Sequence, residues 1–242
     1  MTGSSQQNPA VPAENELTQA LESMSVDQYL DQLHTDFDPV YIMLMDYQCA
    51  VTSVETKFDI LNKQLSIRDE HNPIESIHSR VKSLDSIIRK LEKNHWPISI
   101  ESVRENLKDV AGVRVVCSFV DDIYEIEKYF LAQEDITLVN RKDYIQNPKP
   151  SGYRSLHLIV QTPIYTEHGK KEMYVEVQMR TIAMDFWASL EHKLRYKKSL
   201  NPRTAEELAA ELKACAEESA RLDERMLQVR KRILEDAAGA PS

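Results

Sequence analysis

The sequence predicts an α/β (α+β) domain in which short strands form a sheet between long N- and C-terminal helices. Three observations predict it. Apolar residues recur at three- and four-residue steps from Val40 and again from Leu208, the spacing of one helix face. Val113-Arg114-Val115-Val116 is a β-branched run typical of a central strand. Val175-Glu176-Val177-Gln178-Met179-Arg180 alternates strictly. A strand there turns Glu176, Gln178 and Arg180 to one face and Val175, Val177 and Met179 to the other.

Taken in order, residues 1–25 read as a disordered leader rich in Ser, Gln, Pro and Ala, with no apolar signal core. Asp38-Pro39 looks like a helix start, Asp as cap and Pro in the first turn. Val40, Leu44, Tyr47, Val51, Val54, Phe58, Leu61 and Leu65 then carry the helix to about Ser66, before Asn72-Pro73. Ile77 to Lys82 alternates as a strand and puts Arg80 and Lys82 on one face. Ser83 caps a helix to about Lys93, and a short helix covers Ile100 to Asn106. The central strand follows Lys108-Asp109, with Asp109 at its leading edge. Asp122 to Leu131 reads as a helix and Ile136 to Arg141 as a strand. Ser155–Gln161 and Met173–Met179 form an antiparallel hairpin with a longish loop through His168-Gly169. Thr181 caps a helix to Tyr196, and Asn201-Pro202 ends that region. Thr204 with Glu207 is a capping box for a final helix to about Glu235. That helix carries a four-three series, Leu208, Leu212, Cys215, Ser219, Leu222, Met226, Val229 and Ile233. It either packs on the first helix of its own subunit or forms a helical subunit interface. One domain over residues 26–236, with a flexible tail at 237–242, accommodates all of this.

Composition narrows the classes. Apolar content of 42% and charged content of 29% are those of a soluble globular protein, without a run long enough to span a membrane. A formal charge of −9 disfavours a protein that coats nucleic acid, so no stable nucleic-acid partner is expected. Cys49, Cys117 and Cys215 have no metal-ligand spacing, and the expectation is buried free thiols in a reducing cytoplasm.

Against that acidic background, local cations stand out. Arg80 and Lys82, Arg114, and Arg141, Lys142, Lys149 and Arg154 lie beside strand edges or around the turn at Gly152. Singly, each is an ordinary surface charge. Glu176 alone could be a solvated strand residue, and Asp109 alone the end of a turn. Jointly, two acids from neighbouring strands can hold a magnesium ion with positions left for phosphate oxygens. A carboxylate there can also orient or deprotonate an attacking hydroxyl. Tyr153, beside a flexible turn and flanked by cations, can stack on a purine or merely anchor its loop. His157 would contact a phosphate or bond within the fold. Asp185 and His192 either approach the site or are solvated. No Walker loop, dinucleotide fingerprint or nucleophile triad is present.

Asp109-Val110-Ala111-Gly112-Val113-Arg114, Lys149-x-x-Gly152-Tyr153-Arg154-Ser155-x-His157, Glu176-Val177-Gln178-Met179-Arg180 and Phe186-Trp187-Ala188-Ser189-Leu190-Glu191-His192-Lys193 together resemble the RelA/SpoT-type alarmone synthetase domain. The resemblance runs from about Asp38 to the end of the last helix. It implies a nucleotidyltransferase-like mixed sheet of about five strands flanked by helices. It also implies transfer of the β,γ-pyrophosphate of ATP to the 3′-hydroxyl of GDP or GTP, giving ppGpp or pppGpp and AMP in the stringent response. By the family's roles, Asp109 binds Mg²⁺, while Glu176 assists the metal and activates the hydroxyl. Arg80, Lys82, Lys90 and Arg114 match ATP-side cations. Lys142, Lys149, Tyr153, His157 and Gln178 match acceptor-side contacts, with Tyr153 as the guanine-stacking ring. With no His-Asp dipeptide and no length for extra domains, the chain is similar to the small alarmone synthetases. These are cytoplasmic homotetramers without hydrolase activity, and Asn72-Pro73-Ile74-Glu75 and Met184-Asp185-Phe186-Trp187 look more like their RelP type than the RelQ type. Asn140-Arg141-Lys142-Asp143 departs from the long enzymes' Arg-x-Lys-Asp by displacing the first cation one residue. Two rival readings accompany this one: a toxic relative that pyrophosphorylates tRNA 3′ ends, and a non-catalytic guanine-nucleotide sensor.

Overall fold

The computed structural model describes residues 26–69, 72–167, 169–195 and 202–239. The expected leader lies outside them, as do the Asn201 stop and the last three residues of the expected tail. The chain divides into two compact units, Met1–Met43 and Leu44–Ser242. The described backbone of the first is the beginning of helix α1 (Val26–Asp69). Asp38-Pro39 therefore does not start this helix; Pro39 lies inside it. In the sequence, Tyr29, Leu30, Leu33 and Phe37 continue the helical spacing upstream. A proline costs the helix one N–H bond and about 3 kcal/mol, which weakens a helix without forbidding it.

In the second unit, β1 (Ile74–Val81), α2 (Leu84–Lys93), α3 (Ile100–Asn106), β2 (Ala111–Cys117), α4 (Val120–Leu131) and β3 (Thr137–Asp143) follow in order. Next come β4 (Leu156–Thr166), β5 (Gly169–Thr181), α5 (Ile182–Arg195) and α6 (Pro202–Gly239). Of the caps read from sequence, Ser83 and Thr181 are in place, whereas Asp38 lies inside α1 and Thr204 inside α6, which begins at Pro202. Ser83 accepts from the Ser86 N–H at 3.4 Å, and Thr181 Oγ1 from the Met184 N–H at 3.2 Å. The sheet has five strands in the order β1-β2-β5-β4-β3. Its central pair, β2 and β5, is parallel, and the other pairs are antiparallel. The hairpin is longer and tighter than expected, because the alternation continues through Ile164 and Met173, which are buried, and Tyr165 and Lys170, which are not. Gly169, at φ +99°, supplies the turn.

One face of the sheet is core: Val113, Val115, Cys117, Leu158, Val160, Val175, Val177 and Met179 are fully buried. At about 1.5–3 kcal/mol per large buried side chain, this layer and the helices on it dominate stability. Phe58 of α1 stacks on Phe130 of α4 at 4.4 Å. Arg141 on β3 reaches Glu127 of α4 from this side, with bonds of 2.6 and 3.0 Å. The Asn62 side chain bonds both the N–H and the C=O of Ile74, fixing the start of edge strand β1 on α1.

The C-terminal helix corrects two expectations. It buries Ala216, Asp223 and Leu227, joined to α5 through a Trp187–Ala188–Ala216 cluster and to α4 through Arg230–Asp122 at 2.8 Å. That register leaves Leu222, Met226, Val229 and Ile233 exposed, so these residues do not pack within the subunit. On α5, Ile182, Phe186, Leu190 and Leu194 are likewise exposed. Phe186 therefore does not share a core face with Trp187. The same register explains the exposed Cys215; Cys49 is exposed too, and only Cys117 of the three is buried.

Candidate active site

The polar face of the sheet is assembled by register. Arg80 lies opposite Gly112 and His78 opposite Arg114, while Gly112 is level with Glu176 and Arg114 with Gln178. Gln178 faces His157, and His157 faces Lys142. The five strands thus place Arg80, Arg114, Glu176, Gln178, His157 and Lys142 on one surface. A cleft of about 170 Å³ there is lined by His78, Arg80, Gly112, Arg114, Glu176 and Gln178, among others.

Asp109, just ahead of β2, gathers the remaining ATP-side candidates. Its Oδ2 accepts from Lys82 at 3.0 Å and from Lys90 at 2.5 Å, and Lys82 also reaches the Asp109 carbonyl at 2.6 Å. Burial works to raise the Asp109 pKa, but the Lys90 hydrogen bond and the two ammonium charges win and hold it below the usual carboxylate range. Its Oδ1 is buried without a hydrogen-bond partner among the described residues. Such an atom, beside a second carboxylate near enough to repel it, is a hard oxygen ligand suited to a cation.

Glu176 sits between His157 and Gln178, with Nδ1 of the imidazole at 3.4 Å and the amide of Gln178 donating at 3.0 Å. Burial again pushes upward; the His157 and Gln178 contacts outweigh it, so Glu176 too lies below its ordinary value. From His157 a chain of bonds leads outward. Its Nε2 pairs with the Tyr153 hydroxyl at 2.8 Å, and that oxygen accepts from Arg180 at 2.5 Å. Arg180, 4% exposed, also donates to Gln178 at 3.0 Å and to Asp185 at 3.2 Å. Asp185 takes Arg114 on the same oxygen at 3.3 Å.

Tyr153 is set by its loop. The Gly152 N–H donates to the Lys149 carbonyl at 2.8 Å, and the Lys149 N–H to the Tyr153 carbonyl at 3.1 Å. Gly152 has φ +88°, and a Cβ there would lie 2.6 Å from the Ala216 Cβ. Glycine is therefore required twice over. The Tyr153 ring packs on the Trp187–Ala188–Ala216 cluster, and the Lys149 ammonium stands 4.7 Å from its centroid.

The structure thus brings together Asp109, Lys82 and Lys90, and separately Glu176, Gln178, His157, Tyr153 and Lys149, with Arg80, Arg114 and Lys142 on the same sheet face. It does not bring Arg141 or Arg154 in. Arg141 pairs with Glu127 on the opposite face, and Arg154 donates to the Ile145 carbonyl at 2.7 Å. His192 is exposed on α5. Asp185, which the sequence left either at the site or solvated, joins the constellation, and Arg180 joins it from the face shared with Glu176 and Gln178. The alternation of β5 gave the side of Arg180, but nothing local in sequence links Arg114 to Asp185.

Residues 79–201 match the family described as "Region found in RelA / SpoT proteins". GTP pyrophosphokinase YwaC of Bacillus subtilis is 43% identical over 205 residues, which is 85% of this chain and 97% of that protein. GTP pyrophosphokinase YjbM of the same organism is 39% identical, covering 81% of this chain and 90% of that one. Among solved structures, B. subtilis small alarmone synthetase 1 bound to its product pppGpp has a TM-score of 0.72 at 38% identity, covering 81% of this chain and 98% of that one. Small alarmone synthetase 2 of the same organism has a TM-score of 0.69 at 43% identity, covering 78% and 96%. With its mixed five-stranded sheet and these likenesses over most of its length, the chain belongs to the RelA/SpoT family and within it to the small alarmone synthetases.

Proposed function

We propose that the protein is a GTP pyrophosphokinase of the stringent response. It moves the β,γ-pyrophosphate of ATP to the 3′-hydroxyl of GDP or GTP and has no hydrolase activity. The observation that carries this reading is the pair of carboxylates, Asp109 just ahead of β2 and Glu176 on the adjacent β5, between two sets of cations. Relatives named for this reaction support it, as do solved relatives bound to pppGpp and to the ATP analogue AMPCPP.

Arg80, Lys82, Lys90 and Arg114 hold the ATP phosphates. Lys142, Lys149, His157 and Gln178 hold the acceptor, whose guanine stacks on Tyr153. The 3′-oxygen attacks the β-phosphorus, the bond from that phosphorus to the α-bridging oxygen breaks, and AMP leaves. Catalysis is positioning plus charge neutralisation, with no covalent enzyme intermediate. Glu176 is ionised at neutral pH and so accepts the hydroxyl proton. Its low pKa makes it a weak base, so the proton moves only as the new phosphorus–oxygen bond forms. His157, against the same carboxylate, keeps Glu176 turned toward the cleft. Oδ1 of Asp109 and the Glu176 carboxylate suit Mg²⁺, which would screen the phosphate charges when bound.

Residues 26–236 make up this synthetase domain, and the enzyme is cytoplasmic; no helix among the described residues is long and apolar enough to cross a membrane. The exposed apolar rows on α5 and α6 support assembly into a homotetramer. The deciding experiment is chromatography of nucleotides after mixing the protein with ATP, GDP or GTP, and Mg²⁺. AMP together with ppGpp or pppGpp is expected. Labelled product appearing only on added tRNA, or nucleotide binding without turnover, would replace this reading with one of its rivals.

A further inference from the structure

Arg114 and Arg180 are two cations on one face of neighbouring strands. In the parallel register of β2 and β5, Arg114 is level with Gln178, and Arg180 follows two residues further along β5. Two guanidiniums so placed repel each other, and they differ in their freedom to respond. The Arg180 side chain is 5% exposed, whereas that of Arg114 is 36% exposed. Burial and the Arg180 charge both push the Arg114 pKa down, and the Asp185 carboxylate pulls it back up.

Asp185 supplies the anion between them. It lies in the first turn of α5, where the helix dipole favours a carboxylate. Its Oδ1 accepts from Arg114 at 3.3 Å and from Arg180 at 3.2 Å, and no other carboxylate among the described residues lies within ion-pair distance of either guanidinium. The two arms lead to different halves of the site. Arg114 lines the sheet-face cleft beside Arg80, Gly112 and Glu176. Arg180 donates instead to the Tyr153 hydroxyl at 2.5 Å and to the Gln178 side chain at 3.0 Å. One carboxylate oxygen thus ties an ATP-side cation to the acceptor-side ring.

We propose that Asp185 is a positioning residue that sets both substrate subsites from this single oxygen. It holds Arg114 for the ATP phosphates and, through Arg180, holds Tyr153 for the acceptor base. Which nucleotide occupies each half rests on the reaction proposed above. The exposures give the two arms unequal weight. Without the carboxylate, Arg114 is free to swing into solvent, away from the Arg180 charge. Arg180 is enclosed and keeps Tyr153 and Gln178 as acceptors. Loss of the Asp185 charge therefore weakens ATP more than the acceptor, and the acceptor's share passes through the Tyr153 hydroxyl. A residue that merely seats α5 on the sheet would show neither feature.

The test is calorimetric titration of the full chain with α,β-methylene-ATP and Mg²⁺, and separately with GDP. Asp185→Asn keeps the size of the side chain and removes its charge. It should weaken the ATP analogue about tenfold and GDP about threefold, with melting curves showing the variant folded. Asp185→Ser, which removes the charge without setting an amide beside two guanidiniums, repeats the measurement where the Asn variant does not fold. Asp185→Glu restores the charge and should bring the ATP analogue back to within about threefold of wild type. Tyr153→Phe should weaken GDP by an amount similar to Asp185→Asn, and the double variant should be no weaker for GDP than either single one. Ser219→Ala removes the 3.0 Å bond to the Ala183 carbonyl at the start of α5, and should lower Tm while leaving both affinities unchanged. Equal losses for the two nucleotides, additive losses for GDP in the double variant, or no loss in Asp185→Asn overturn the proposal. AMP release from ATP and GDP by a protein whose affinities ignore Asp185→Asn would refute this role and keep the reaction. The expected affinities in a protein that releases no AMP would do the reverse.

Discussion

Tyr153 has two separable jobs, and substitution can tell them apart. Its ring is the surface offered to guanine; its hydroxyl ties His157 to Arg180 through bonds of 2.8 and 2.5 Å. Tyr153→Phe removes only the second. A hydrogen bond to a charged group contributes about 1.5–3 kcal/mol and a neutral one about 1 kcal/mol, but Arg180 keeps Gln178 and Asp185, so the loss should total about 2–3 kcal/mol. For a chain of this size that lowers Tm by roughly 4–12 °C. His157 then holds Glu176 less firmly, and kcat should fall about tenfold, equivalent to roughly 1.4 kcal/mol, while KM for GDP stays within about threefold. Tyr153→Ala also removes the ring, and stacking worth about 1–3 kcal/mol should raise KM for GDP by roughly 5- to 150-fold. KM for ATP should move little in either variant. Steady-state kinetics with each nucleotide varied in turn decide it. An equal rise of the GDP KM in both variants would mean that the hydroxyl, not the ring, makes the acceptor contact; no rise in Tyr153→Ala would remove the base platform altogether.

Glu176→Gln and Asp109→Asn should each reduce AMP release by about 10²- to 10⁴-fold with an unchanged circular dichroism spectrum, and normal release from either would sink the assigned roles. Because both carboxylates lie below their ordinary range, their protonation should not limit kcat/KM until the pH drops below about 4. Gly152→Ala meets the Ala216 Cβ and an unfavourable φ, so Tm should drop by an amount equivalent to about 1–3 kcal/mol and KM for GDP should rise as Tyr153 shifts; a variant with wild-type values would show that the loop is not pinned there. Burial raises the Asp223 pKa above its unfolded value, with the Thr181 hydroxyl pulling the other way. The folded chain therefore binds that proton more tightly, and stability is lost as pH rises from about 4 through the folded pKa. Asp223→Asn keeps an acceptor for Thr181 and should raise Tm at pH 7, with the gain fading on acidification; a gain that grows toward pH 4 would reverse the sign. Phe186→Asp, placed in the exposed row of α5, should lower the mass seen by light scattering without changing the melting of the subunit, and an unchanged mass would take α5 out of the interface.

The elements legible in sequence were those whose pattern is local. The alternation of β5 assigned faces to Glu176 and Val177 correctly because period two leaves no other arrangement in a half-buried strand. The caps Ser83 and Thr181 read correctly because a cap uses the backbone within three residues. Arg141 read wrongly for the same reason: neighbouring strand residues point to opposite faces, and only the pairing with Leu158 shows that it leaves the site while Lys142 enters it. The packing of the α6 heptad on the first helix did not hold, because the stripe that α6 buries is Ala216, Asp223 and Leu227, of which only Leu227 registers in a hydrophobic count. For Asp185 the sequence left the site and solvent both open, because its partners Arg114 and Arg180 are fixed by the docking of α5 on the sheet.

What separates this site from a merely charged surface is where the fold leaves polar atoms unpaired. Four buried side-chain atoms among the described residues lack a hydrogen bond: Asp109 Oδ1, Arg114 Nε, Arg180 Nε and Thr162 Oγ1. The first three belong to the polar face just described. Each unsatisfied buried group costs about 1–3 kcal/mol, so a sequence selected for stability alone would have replaced or paired them. Meanwhile the atoms beside them are paired: Asp109 Oδ2 with two lysines, Arg114 and Arg180 with Asp185. The carboxylates hold the cations in place before a polyanion arrives, and phosphate oxygens can then compete for the same donors at little reorganisation cost. That arrangement also reconciles an acidic chain with polyanionic substrates. Repulsion from distant surface charge is screened beyond about 8–10 Å, whereas inside the cleft the cations outnumber the acids.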